Sequence, residues 1–357
     1  MTTLTLADIK GIQQLLDLVP QQPGIPSSVF VGIRIEKGLA TFLLHSTISV
    51  EARVKTDLQD GFYSVDRRIL FPFLESLNDS CKISIKDGTL SLVSGGRSAK
   101  IKIIEPNWSY GSIDWKKFKS HDLPEDFLDL LSQVRLCATD DPVNPEINCV
   151  YVEFSKKSYM FSTNDLILCT AAGDHVMKSN MCWAVPIHLI DVFPKLKPQS
   201  ILVYGHTMGI RTDFGSAWAD APEKAWKEFP AKRIKNIIVK SRKMPTLFSI
   251  EMPVLVELCD RFVRYLGNIP KQEWALKIDV QSKSEGLISA QTSYASFQES
   301  IPIKGTKKGS VEINLGVVKP VFQNIKGFDG RITISESRDS VCYMHAGRYE
   351  FIASQRA

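Results

Sequence analysis

A few short stretches of this chain hold residue types that can do chemistry. Gly95-Gly96-Arg97-Ser98 has the small residues and cation of a phosphate loop. Asp140-Asp141, with His175 elsewhere in the chain, offers oxygen and nitrogen ligands for a divalent metal. Seven cysteines stand at 81, 137, 149, 169, 182, 259 and 342. Each has a simpler reading. The glycine pair lies between two alternating segments, as a hairpin turn does. The aspartate pair lies in a polar loop. The cysteines form no CxxC pair, and an odd, scattered set reads as free thiols in a reducing compartment. Histidines at 45, 121, 175, 188, 206 and 345 form no ligand cluster by spacing. No Gly-x-Gly-x-x-Gly, Walker loop or His-Glu-x-x-His occurs. No nucleophile, base or metal set is nominated, so the expectation is a protein that is not an enzyme and needs no cofactor or metal.

The bulk numbers permit a folded protein of two or three domains: 357 residues, 44% hydrophobic and 23% charged. The net charge of +5 allows nucleic-acid contact without establishing it. The N-terminus lacks an apolar signal core, and no apolar run approaches the roughly 20 residues that span a bilayer. The expected location is the cytoplasm.

The elements that would position any site recur. Leu6, Ile9, Ile12, Leu16 and Val19 form an apolar helical stripe, followed by alternating strands. Phe127, Leu130, Leu131, Val134 and Cys137 form a second stripe, and Leu255, Leu258, Cys259, Phe262 and Leu266 a third, each again followed by strands. A second kind of segment starts at Val65, Val185 and Ile313: a short amphipathic helix, then a meander with a glycine-containing turn. In the first of these, Leu70, Phe73, Leu74 and Leu77 share a predicted face, Asp66 is placed to cap the helix, and Lys86-Asp87-Gly88 signals a hairpin. Pro72 and Pro320 hold the same register, which predicts a late start or a kink. The fold class is therefore α+β: three repeated domains, each with two helices packed on antiparallel sheets. Boundaries near Trp115–Pro124 and Pro230–Met244 give domains 1–118, 119–236 and 237–357.

Particular stretches resemble the bacterial DNA polymerase III β subunit, the sliding-clamp family. The helix LLSQVRLCAT leads into PEINCVYVEF and then FSTNDLILCTA, in the order of the family's middle domain. Asn148 keeps its place and Cys149 replaces a glycine. Thr163 and Leu168 match the second motif, whereas Asn164, Asp165, Leu166 and Ile167 depart from it. SVDRRILFPFLESL with LSLVSGGRSAKIKI is similar to the family's first domain, and Phe229-Pro230 to its interdomain linker. YEFIASQRA lacks the family's Met-Pro ending. Such departures fit a divergent, accessory member carried by a phage or plasmid.

The resemblance implies a head-to-tail homodimeric ring with pseudo-sixfold symmetry, acting as a processivity factor on double-stranded DNA. Helix faces would line the hole with Lys10, Arg67, Arg68, Arg135, Lys195, Lys197, Arg261, Arg264, Lys319 and Lys326, meeting phosphates without reading bases. DNA polymerase and the clamp loader would dock a short peptide in a cleft lined by Ile147, Thr163, Leu166, Leu168, Pro230, Ile234 and Ile352. Ile101 and Ile103 would belong to the subunit interface, with their face and that of Lys100 and Lys102 both open. A second reading keeps the fold but makes the protein an adaptor or decoy that binds clients without loading on DNA.

Overall fold

The structure is a computed structural model that describes the chain except residues 107, 111–112, 142, 155–157, 174–180, 228–230, 268–273, 294, 326–327, 329, 336–340 and 355–357. One succession of elements runs through it three times. The first pass is β1 (Thr2–Leu4), α1 (Leu6–Leu16), one-turn α2 (Pro26–Val29), β2 (Phe30–Glu36), β3 (Leu39–His45), β4 (Ser49–Lys55), β5 (Gly61–Asp66), α3 (Arg67–Glu75), β6 (Cys81–Lys86), β7 (Thr89–Ser94) and β8 (Arg97–Lys102). The second is β9 (Lys119–Asp122), α4 (Phe127–Arg135), β10 (Cys149–Phe154), β11 (Ser158–Thr163), β12 (Ile167–Gly173), β13 (Met181–Pro186), the broken helix α5 (Ile187–Ile190) and α6 (Phe193–Leu196), β14 (Ser200–Tyr204), β15 (Thr207–Thr212) and β16 (Gly215–Asp220). Helices α7 (Glu223–Lys227) and α8 (Ala231–Ser241) follow. The third pass is β17 (Thr246–Glu251), α9 (Met252–Leu266), β18 (Ala275–Val280), β19 (Glu285–Gln291), β20 (Ser296–Pro302), the short β21 (Lys304–Gly305), β22 (Gly309–Asn314), α10 (Leu315–Asn324), β23 (Arg331–Ser335), β24 (Val341–Ala346) and β25 (Tyr349–Ser354).

The pairing repeats with the order. The opening strand of each pass pairs with the strand after its second helix: β1 with β6, β9 with β14, β17 with β23. The first meander closes the same way each time: β2 on β5, β10 on β13, β18 on β22. Successive passes are joined by one rule. The third meander strand of a pass pairs with the last strand of the next, β4 with β16 and β12 with β25. By that rule β20 and β8 should each have one more neighbour, yet each ends a four-stranded sheet, β20-β19-β18-β22 and β1-β6-β7-β8.

The chain packs as two compact units. Met1–Leu123 with Asp191–Ala221 holds the eight-stranded sheet β5-β2-β3-β4-β16-β15-β14-β9 and the sheet ending in β8. Pro124–Ile190 with Pro222–Ala357 holds the nine-stranded sheet β13-β10-β11-β12-β25-β24-β23-β17-β21 and the sheet ending in β20.

Helix phase follows the apolar stripes. α1 starts in a capping box, Thr5 taking the Asp8 amide and Asp8 taking the Thr5 amide, and it buries Ile9, Ile12, Leu15 and Leu16. α4 buries Phe127, Leu130, Leu131 and Val134, and α9 buries Leu255, Leu258, Cys259, Phe262 and Leu266. α3 starts at Arg67 on an Asp66 cap, with exposed Pro72 inside it, and buries Leu70, Phe71 and Leu74. Phe71 thus takes the core place expected for half-buried Phe73: the Asp66 cap fixes the helix start, and the start fixes the phase. The Lys-Asp-Gly and Gly-Gly turns are two-residue hairpins, with positive φ at Asp87, Gly88, Gly95 and Gly96.

The β4–β16 join tolerates no side chain at Gly215, where an added Cβ would sit 1.9 Å from the Glu51 carbonyl oxygen. Beside it, Trp115 donates its indole N–H to buried Glu51 at 2.8 Å and packs edge-on against Trp218. Gly215→Ala should push the two strands apart and lower the unfolding free energy of this unit by about 2–3 kcal/mol, read as a reduced urea midpoint.

Candidate functional site

A groove of about 490 Å³ opens in the second unit. Register builds its floor. Thr163 on β11 stands opposite Leu168 on β12, and Leu168 stands opposite Ile352 on β25. Ile147 and Tyr151 enter from the start of β10, and Val341 and Ser354 from β24 and β25. The far wall is α8, through Ile234 and Ile237. The floor is nearly dry, since Ile147, Leu168, Ile234 and Ile352 are all buried, while Leu166 at the lip is 37% exposed. The lip is shaped by residues that depart from the family pattern. The Asn164 side chain accepts the Leu166 and Ile167 amides, and Asp165 takes a positive φ of 69°. Among the described lining residues the charges stand at the rim: Asp165, Arg233, and Glu146 in a 2.6 Å pair with Lys224. An apolar trough with few polar groups suits an extended ligand that anchors through hydrophobic side chains.

Six residues predicted to line one cleft, Ile147, Thr163, Leu166, Leu168, Ile234 and Ile352, are therefore brought together. Pro230 lies outside the described residues. Sequence reading missed Tyr151, Arg233, Ile237 and Val341. α8 occupies most of the segment from Pro230 to Met244, where the sequence places a domain boundary. The signal was there: Ile234, Ile237, Ile238 and Ser241 fall at i, i+3, i+4 and i+7 and form the inward stripe.

α8 is pinned to the sheet by two ion pairs. Lys235 meets Glu153 on β10 at 2.6 Å. Arg242 binds both carboxylate oxygens of buried Glu350 on β25, and Tyr343 donates to the same carboxylate at 2.7 Å. Burial pushes the Glu350 pKa up, but the hydrogen bonds from Arg242 and Tyr343 outweigh it and hold the carboxyl below the usual range. A depressed folded-state pKa gives stability that is complete above the unfolded value, near 4.3, and is lost as pH falls through the folded value. Acid should therefore weaken this unit, and Glu350→Gln should flatten the fall in urea midpoint between pH 6 and 3.

Nine of the ten cations lie among the described residues, and they fall into two groups. Arg67 is spent internally, donating to the Val19 and Leu16 carbonyls at the end of α1 and stacking on Phe71. Arg68 pairs with Asp66 at 2.6 Å, and Arg261 holds Glu257 and Glu299 at 2.7 and 2.6 Å. Lys319 meets Asp260 at 3.2 Å, and Arg135 donates to the Ala138 carbonyl at 3.2 Å. Lys10, Lys195 and Lys197 in the first unit and Arg264 in the second are exposed, with no ion pair among the described residues. Lys326 lies outside the described residues.

Ile101 is 1% exposed and stands opposite Leu90, so its side chain belongs to its own unit's core, and Ile103 is half-buried. Lys100 and Lys102 face the other way and are exposed. Gly95-Gly96 is a hairpin turn, Asp141 caps the turn at Val143 and Asn144, and His175 lies outside the described residues. Among the described residues no cluster of three potential metal ligands occurs.

No family model matches the chain, and no curated protein does. Solved structures do. A putative DNA polymerase III β subunit from Eubacterium rectale superposes with a TM-score of 0.83 at 13% identity, covering 99% of this chain and 98% of that one. The DNA polymerase III subunit β of Pseudomonas aeruginosa gives 0.82 at 14% identity, with the same coverage. The β subunit of Caulobacter crescentus gives 0.82 at 11% identity, covering 99% of each chain. Over its whole length, this chain has the fold of the bacterial DNA polymerase III β subunits, the sliding clamps.

Proposed function

We propose that this protein is a non-enzymatic DNA sliding clamp, a homodimeric ring that encircles duplex DNA and tethers DNA polymerase and other clients through a peptide held in the groove. The observation that carries the reading is the pair of edges that break the repeat. Of the other six edges among the described residues, five are the opening strand of a pass or the closing strand of its first meander, and the sixth, β21, covers the opening strand β17; β8 and β20 are instead joining strands, left without a neighbour in the first and last passes. An open edge is a template for another strand. If the joining rule continues between molecules, β20 of one copy pairs with β8 of the next. A head-to-tail pair then uses both edges of both copies and closes, with three domains, 1–118, 119–236 and 237–357, in each copy. Charge favours the match. β8 presents Arg97, Lys100 and Lys102, and β20 carries a single charge, Glu299, which its own chain already shares with Arg261. Next to β20, half-exposed Tyr265 stacks on Phe297 at 5.0 Å and offers apolar surface to a partner. Encirclement needs no tight contact, and the exposed cations Lys10, Lys195, Lys197 and Arg264 would hold phosphates loosely enough to slide.

The test has two parts. Light scattering should give twice the chain mass at micromolar concentration. Protein loaded on nicked circular DNA should stay bound through gel filtration and run off when the circle is linearised. A monomer, or retention indifferent to DNA topology, would overturn the reading. A stable dimer that binds client peptide but is never retained on circles would favour the adaptor.

A further inference from the structure

Helix α8 carries more than the groove wall uses. Between 231 and 243 the chain has six cations and no carboxylate. Two of them, Lys235 and Arg242, are consumed in pinning the helix to Glu153 and Glu350. Lys232, Arg233, Lys240 and Lys243 remain exposed, with no ion pair among the described residues. Lys232 and Lys240 fall at i and i+8 on the outward side of the helix, Lys243 follows in the turn just after it, and half-exposed Val239 stands beside them. Arg233, one position round from Lys232, is also a groove-lining residue. The cationic side and the apolar trough are thus two faces of one helix and meet at Arg233.

Adjacent like charges repel, and a helix that needed only solubility would interleave acids with them. The inward stripe already holds α8 in place, so the outward cations are not needed for packing. What they fit is a run of carboxylates, and continuity with the trough says where that run comes from. We propose that α8 is a second, electrostatic subsite for acidic residues flanking the apolar anchor of a client peptide. The inference rests on the groove reading above. It makes the groove a two-part site, with apolar anchors seated between β12, β25 and α8 and an acidic flank lying along Lys232, Lys240 and Lys243. Exposed contacts of this kind are individually weak and screened by salt, so they select among clients and speed encounter more than they hold.

Two synthetic fluorescent peptides test it by anisotropy. Both carry the same Leu-Phe anchor pair; one continues with four glutamates, the other with four serines. The acidic peptide should bind the intact protein about tenfold more tightly at low salt. That advantage should vanish at 0.5 M NaCl and in the Lys240→Glu/Lys243→Glu variant, and survive in Lys240→Arg/Lys243→Arg. The serine peptide should bind all of these proteins alike. Equal binding of the two peptides to the intact protein would overturn the proposal while leaving the groove reading standing. Failure of both peptides to bind would instead count against the groove itself, and with it this subsite. A labelled 12-nucleotide single strand is run in parallel. If it loses binding in the reversal variant while the two peptides remain equal, the outward cations serve nucleic acid and the proposal falls.

Discussion

Lys100→Pro should abolish the proposed dimer while leaving each unit folded. In the β7–β8 hairpin the residues flanking the two-residue turn, Ser94 and Arg97, form a hydrogen-bonded pair, and such pairs alternate along the strands. Ala99 and Ile101 therefore spend their backbone groups on β7, and Ser98, Lys100 and Lys102 point theirs outward. A proline at Lys100 removes an outward N–H and costs β8 nothing internally. Its ring also keeps a partner strand from seating on either side. Losing about three strand hydrogen bonds at roughly 1 kcal/mol each weakens association about a hundredfold. Light scattering across a dilution series reads this directly, and retention on circular DNA should disappear with it. Ile101→Ala should do something different. It empties part of the unit's own core, costs about 2–4 kcal/mol in urea unfolding, and leaves the outward edge intact. If Lys100→Pro remains dimeric, β8 is not the interface.

The triple reversal Lys10→Glu/Lys195→Glu/Lys197→Glu should abolish measurable DNA association near physiological salt. These three cations lie in one unit, are exposed and have no ion pair among the described residues. The α6 end that carries Lys195 is tied to α1 by a hydrogen bond from Gln14 to the Lys195 carbonyl at 3.3 Å. Each phosphate that is no longer neutralised should flatten the log–log salt dependence by about 0.9, so the slope should fall by nearly three. Thermal stability should change little, because none of the three is in an ion pair among the described residues and only Asp17 feels one of their charges, that of Lys195. Arg67→Ala should show the reverse pattern. It strands the carbonyls at the end of α1 and lowers stability, yet leaves the salt slope where it was. Comparing the two variants separates cations that meet phosphate from cations that hold helices.

The repeat was legible because each stripe and each alternating strand serves one buried face, and that need is local. Joins between passes were not legible: that β4 meets β16 follows from packing, although Gly215 marks the spot once the strands are known. The groove came from resemblance at Thr163, Leu168 and neighbouring positions, since periodicity alone cannot distinguish a floor residue such as Ile352 from ordinary core. α8 was hidden because a proline and a run of charges imitate a linker, while its four inward residues are matched by four cations in the helix, with two more just past it. The fates of Arg67, Arg261 and Lys319 could not be read from their own helices. Arg67 is held by α1 and the loop after it, Arg261 partly by Glu299 on β20, and Lys319 by Asp260 on α9.

Six of the seven thiols are buried, and burial pushes Cys149, Cys259 and Cys342 up to about 12. An alkylating dye at neutral pH should therefore meet one accessible sulfur, Cys182 on β13. Burial and then the Glu153 charge push that thiol up, while the charge of Lys235, the other half of the pair that pins α8, draws it down. Nature has left a single labelling handle next to the helix whose occupancy one would most want to watch, so the unmodified polypeptide can be its own fluorescent reporter, without engineered cysteines.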